Sequence, residues 1–118
     1  DGREAYFSSL PVRASYERLR AAGEPVEISY TAGTYVCNHV FYEGQRISRE
    51  LGLSIPAGFV HVPATCADGE EPTEGTGMTA HRDAGGVVRD EQGIPQLPES
   101  TVVRIIAEIA SDTLPAVD

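Results

Sequence analysis

The chain has 118 residues, 41% of them hydrophobic and 23% charged, which is the composition of an ordinary folded domain and not of a disordered tail. Nine basic residues face eighteen acidic ones, for a net charge of −9, and every basic residue is arginine. This balance argues against nucleic acid as a partner, the lack of lysine excludes Schiff-base and P-loop lysine chemistry, and no apolar run nears the roughly 20 residues that span a bilayer.

No basic stretch precedes an apolar one at the start, as it would in a signal peptide. The chain opens at Asp1 and its one methionine is Met78, so it is expected to be a processed or excised piece. Two cysteines, Cys37 and Cys66, are too few for a disulfide scaffold. A bridge between them fits on count alone, but reduced thiols in a cytoplasmic protein are the expectation, and no cofactor is expected.

Residues 1–10 read as irregular. The stretch after Pro11 has helical spacing, with Val12, Tyr16, Leu19 and Ala22 on one face, Ser9 as its cap and Gly23 as its stop. Residues 26–30 alternate Val26, Ile28 and Tyr30 with polar residues, the pattern of a short strand. A small-residue turn leads to a second helix from about Val36 to Leu51. Its apolar side would be Val36, Val40, Phe41, Ile47 and Leu51, with Gly44 inside and Gly52 as the stop. Phe59, Val60 and Val62 suggest a second short strand, closed by Pro63 and containing His61. Helices alternating with strands favour a parallel sheet with right-handed crossovers, hence an α/β fold.

Residues 64–97 differ. From Cys66 to Glu99 inclusive, eight acidic residues meet two arginines, and apolar residues are few. This region reads as an exposed excursion with a short hairpin within 87–96. A last helix begins at Pro98-Glu99-Ser100, carries Val102, Val103, Ile105, Ile106 and Ile109 on its apolar face, and ends before Pro115.

The chemistry concentrates at Thr31-Ala32-Gly33-Thr34-Tyr35-Val36-Cys37-Asn38. A strand ends, a tight turn follows, and a helix opens with a cysteine in its first turn. Unpaired N–H groups and the helix dipole there favour a thiolate and can receive an oxyanion. Taken alone, such a cysteine is more often a packing residue. His61 strengthens the case, because consecutive parallel strands present their carboxyl ends on one edge of the sheet, where a nucleophile and a histidine can meet. His39 is a rival base two residues from Cys37, but neighbours at that spacing point apart on a helix. His81 lies in the polar excursion. Metal-ligand spacing is absent among the cysteines and histidines. Glu43 and Asp68 are the acids nearest in sequence to the role of orienting the imidazole, and neither is well placed for it.

Residues 31–42 resemble the active-site signature of the pyroglutamyl peptidase type I family, the pyrrolidone-carboxylate peptidases. The opening Asp1-Gly2-Arg3-Glu4-Ala5-Tyr6-Phe7-Ser8-Ser9-Leu10-Pro11-Val12 resembles a second segment of that family, and Gly58-Phe59-Val60-His61-Val62-Pro63 resembles its histidine strand. The resemblance implies a three-layer α/β/α sandwich with a mostly parallel, mixed sheet. It implies a cytoplasmic cysteine peptidase of the omega or aminopeptidase type, which removes N-terminal pyroglutamate from peptides and often assembles as a tetramer. Cys37 would be the nucleophile, His61 the general base and acid, and Tyr35 and Val36 would line the lactam pocket. Family members are longer, and their orienting glutamate lies upstream of the Asp-Gly segment. Residues 1–118 would then be the carboxyl-terminal portion of one peptidase domain, with 64–97 as an insertion. The alternative is a non-catalytic structural or binding module, or an inactive fragment, of the same fold.

Overall fold

A computed structural model describes residues 4–71, 81–89 and 93–114. Among the described residues it is a mixed α/β structure of three helices and short strands, and the chain divides into two compact units, Asp1–His61 with Ile109–Asp118, and Val62–Glu108. No helix among the described residues is long and apolar enough to cross a membrane.

In the first unit, helix α1 spans Val12–Ala21 and helix α2 spans Val36–Glu50. Both end alike. After α1, Gly23 N–H donates to Arg20 O (3.0 Å) and Glu24 N–H to Leu19 O (2.9 Å); after α2, Gly52 N–H donates to Arg49 O (3.0 Å) and Leu53 N–H to Ser48 O (2.9 Å). These are Schellman turns, and both glycines take the positive φ that such turns require, +82° and +65°. The start of α1 differs from expectation. Pro11 holds the cap position without a side-chain hydrogen bond. Ser9 instead pairs with Ala57, which offers it both a donor and an acceptor.

The buried face of α1 is Ser15 and Leu19, with Tyr16 half-buried and Val12 exposed, so it is rotated towards Ser15 from the expected stripe. The cause is polar. Asp112, near the end of helix α3 (Glu99–Thr113), accepts from Ser15 Oγ (2.8 Å) and from Arg18 Nη2 (2.8 Å) and Nε (3.1 Å to its second oxygen). These donors hold the Asp112 carboxyl below its usual range, the Arg18 hydrogen bond acting most strongly and Ser15 next.

Helix α2 packs against its own chain with the stripe Asn38, Tyr42, Gln45 and Arg49. Tyr6 sets its ring edge-on to Tyr42, centroids 5.0 Å apart, and Arg49 lies over the Tyr6 face at 5.2 Å. Gln45 is the one buried residue of the helix among those described. The stripe expected to face a core, Val36, Val40, Ile47 and Leu51, lies on the opposite side and is 45–68% exposed, while Phe41 is half-buried. No described residue covers this stripe fully. On the solvent side Arg46 bridges Glu43 (2.7 Å) and Glu50 (2.6 Å).

Neither expected strand forms a ladder. Residues 26–30 keep their period of two, with Val26 and Ile28 half-buried and Glu27 and Ser29 exposed, but Tyr30 is 90% exposed and among the described residues no strand pairs with them. Residues 59–62 are likewise unpaired. A strand is defined by its partner, and alternation alone supplies none.

The second unit is built on a parallel pair, β1 (Thr65–Cys66) with β4 (Leu97–Pro98), and an antiparallel hairpin, β2 (His81–Arg82) with β3 (Val88–Arg89). Asp83 closes the hairpin: its Oδ1 accepts from Gly85 and Val87 N–H (both 2.9 Å), and its Oδ2 meets Arg89 Nε (2.7 Å). An antiparallel bridge between Arg89 and Pro95 gives the turn expected within 87–96, although residues 90–92 lie outside the described set. The excursion is not exposed throughout, since Val88 is 2% exposed and is the most deeply buried side chain described. Helix α3 starts where expected, at Glu99, and buries Ile105, with Val102 and Ile109 half-buried and Val103 and Ile106 exposed. The expected stop at Pro115 lies outside the described residues.

Candidate active site

Helix α2 begins as the motif requires. Gly33 takes φ +87°, its N–H bonds Thr31 Oγ1 (3.0 Å), and Ser29 Oγ bonds Thr31 O (2.6 Å), so the turn closes through its own small polar residues. Tyr35 is the N-cap residue, Val36 the first helical residue and Cys37 the second. Among the described residues Tyr35 makes no side-chain cap hydrogen bond, and the first turn holds no acidic residue. The first N–H groups of a helix have no intrahelical partner, which favours negative charge in front of them.

Tyr35 is 84% exposed, Val36 is 55% exposed, and Cys37 is a half-buried free thiol. These three are brought together at one helix end. His61 belongs to the same unit and is exposed. Among the described residues, no hydrogen bond joins the Cys37 thiol to the His61 ring.

The other sequence candidates have other partners. Glu43 is engaged by Arg46, whose hydrogen bond is the main cause of its lowered pKa, with a smaller contribution from the charge of His39 one turn earlier. Asp68 Oδ1 accepts from Ser100 N–H (3.1 Å), so it caps α3 from a distant part of the chain. For His81 the structure describes the backbone pairing with Arg89. Cys66 is a free thiol in β1. No cluster of three His, Cys, Asp or Glu side chains suited to a metal ion occurs among the described residues.

Two hollows flank α2 within this unit. One, of about 130 Å³, is lined by Glu4, Ala5, Tyr6, Asn38, Phe41 and Tyr42. The other, of about 350 Å³, is an apolar groove between Val40–Ser48 of the helix and residues 53–59. Phe41 lines both and lies one turn beyond Cys37, on the same helix face.

The family model for pyroglutamyl peptidase matches residues 1–78, which include Tyr35, Val36, Cys37 and His61. The chain belongs to the pyroglutamyl peptidase family. The pyrrolidone-carboxylate peptidase of Lacticaseibacillus paracasei is 49% identical over 63 residues, covering 53% of this chain and 29% of the relative. Pyrrolidone-carboxylate peptidase 1 of Ralstonia nicotianae is 52% identical over 62 residues, covering 52% and 29%. The Halalkalibacterium halodurans pyrrolidone-carboxylate peptidase is 52% identical over 65 residues, covering 54% and 32%. The chain thus spans under a third of the length of each of these relatives by matched residues.

Sequence reasoning did not single out Gln45 as a long-range partner or Tyr6 as the residue that packs the opening segment on α2, and it read Ser9 as a helix cap and not as the partner of Ala57. A glutamine between Gly44 and Arg46 carries no local signal of its long-range role. Only a buried amide inside an amphipathic helix hints at a fixed partner.

Proposed function

We propose that this chain carries the nucleophile and the general base of a pyroglutamyl peptidase I-like cysteine peptidase, which removes N-terminal pyroglutamate from peptides in the cytoplasm. The observation that supports this most is the place of Cys37, at an uncapped helix start whose first turn holds no acid. Family membership supplies the reaction class, and the relatives' names supply the substrate class.

Each residue has a role in this reading. Cys37 Sγ attacks the carbonyl carbon that links pyroglutamate to the next residue, and the α2 N–H groups receive the oxyanion. His61 accepts the thiol proton and passes it to the leaving amine, so that the C–N bond breaks and a thioester remains. Water, deprotonated by His61, then releases pyroglutamate and restores the thiol. The exposed Tyr35 ring lies flat against the lactam, and Val36 offers it main-chain polar groups. The reaction needs no cofactor. The complete domain is a three-layer α/β/α sandwich, of which residues 1–118 form the carboxyl-terminal portion, with 64–97 as an insertion. It assembles as a homo-oligomer, a tetramer in this proposal.

A second reading is favoured by a specific observation: the unbonded His61 and the engaged acids Glu43 and Asp68 leave the imidazole without an orienting group among the described residues. The 118 residues by themselves are therefore expected to be inactive. The test is release of a pyroglutamyl-linked fluorophore by the full-length protein and its Cys37→Ala variant. Loss of release in the variant is expected, and undiminished release would refute the assignment.

A further inference from the structure

The Ala57 peptide is held by four hydrogen bonds to Ser9 and Gln45. Its carbonyl accepts from Ser9 N–H (2.8 Å), Ser9 Oγ (3.2 Å) and Gln45 Nε2 (2.8 Å), while its N–H donates to Ser9 Oγ (2.8 Å). Gln45 is 5% exposed, so its amide is removed from water and its bond to Ala57 O fixes both partners. The next residue, Gly58, has no room for a side chain. A Cβ at Gly58 would stand 2.6 Å from the Leu10 side chain and would also strike Ser8 Oγ.

This clamp joins the two elements that carry the reacting groups. Gln45 lies eight residues beyond Cys37 on α2, about 12 Å along the helix axis. Ala57 lies four residues before His61, about 13 Å along an extended chain. The chain reverses at the turn after α2, and residues 53–59 line one groove with Val40–Ser48. The two arms therefore start from one clamped point, and the reach of the second is similar to the length of the first.

We infer that Gln45 and Ser9 are positioning residues, which set the spacing between Cys37 and His61 by pinning Ala57 to α2. The inference rests on the peptidase reading above. A positional error of about 1 Å in such a pair lowers turnover by up to roughly a hundredfold, with little effect on how the substrate is held.

The test uses the full-length protein with Gln45→Met, which keeps the side chain's length but removes the donor, and Ser9→Ala, which leaves the Ser9 N–H bond in place. Release of a pyroglutamyl-linked fluorophore is measured alongside thermal unfolding. Gln45→Met is expected to lower kcat at least tenfold with KM within about twofold. Ser9→Ala is expected to lower kcat less, in a protein that still unfolds cooperatively. Cys37-dependent release with kcat unchanged in Gln45→Met overturns the positioning role alone, as does a fall in kcat that follows only the unfolded fraction in both variants. Release that survives Cys37→Ala overturns the peptidase reading instead.

Discussion

At the scale of single residues, the two thiols form an internal comparison. Both are free and half-buried, but Cys37 lies in the first turn of a 15-residue helix and Cys66 sits in a two-residue strand. Cys37 is expected to alkylate faster with iodoacetamide near neutral pH, as peptide mapping of the labelled protein would show; equal rates would count against the helix-end argument. Gly58 offers a second test. Gly58→Ala drives a methyl group into Leu10 and Ser8, and should destabilise the protein by about 1–3 kcal/mol in denaturant unfolding. The position of Cys37 was legible because everything that determines it is local: a small-residue turn, a positive-φ glycine and a helix that follows at once. Gln45 and Ser9 were illegible because their partner Ala57 is 12 and 48 residues away. For the same reason Ser9 reads as a helix cap in sequence and acts as a clamp in the structure.

At the scale of elements, the helices were readable and the strands were not. Periodicity and terminal glycines mark α1 and α2 without reference to the rest of the chain, and both Schellman turns fall where Gly23 and Gly52 predict. Residues 26–30 and 59–62 have a strand's pattern but no strand beside them among the described residues. The cap of α3 comes from Asp68, 32 residues before Ser100, which sequence proximity cannot reveal. Asp68→Ala is expected to cost about 1 kcal/mol in equilibrium unfolding, and to increase hydrogen exchange in the first turn of α3. The link between α1 and the end of α3 predicts a pH dependence. The Asp112 carboxyl lies below its ordinary value of 3.8 when folded, so its contribution is fully present above that pH and is lost as pH falls through the lower folded value. Thermal unfolding from pH 6 to pH 2 should show this loss, and Asp112→Asn should flatten it by removing the titrating group.

At the scale of the whole molecule, the apolar stripe of α2 is the main feature. Val36, Val40, Ile47 and Leu51 are 45–68% exposed, and the hydrophobic side chains buried among the described residues are Leu19, Val88 and Ile105. This agrees with a chain that spans under a third of its relatives' length. The 118 residues alone are expected to bind a hydrophobic dye and to self-associate with increasing concentration; a dye-silent monomer would contradict this. The family and its site motif were legible at this scale because they lie in residues 1–78. The small sheet of the second unit was not, because a pair of two-residue strands with 30 residues between them leaves no periodic trace. The central claim remains that Cys37 is a peptidase nucleophile. Its most direct test is release of a pyroglutamyl-linked fluorophore by the full-length protein before and after Cys37→Ala: release is expected to fall to background, and release at the unsubstituted rate would overturn the assignment.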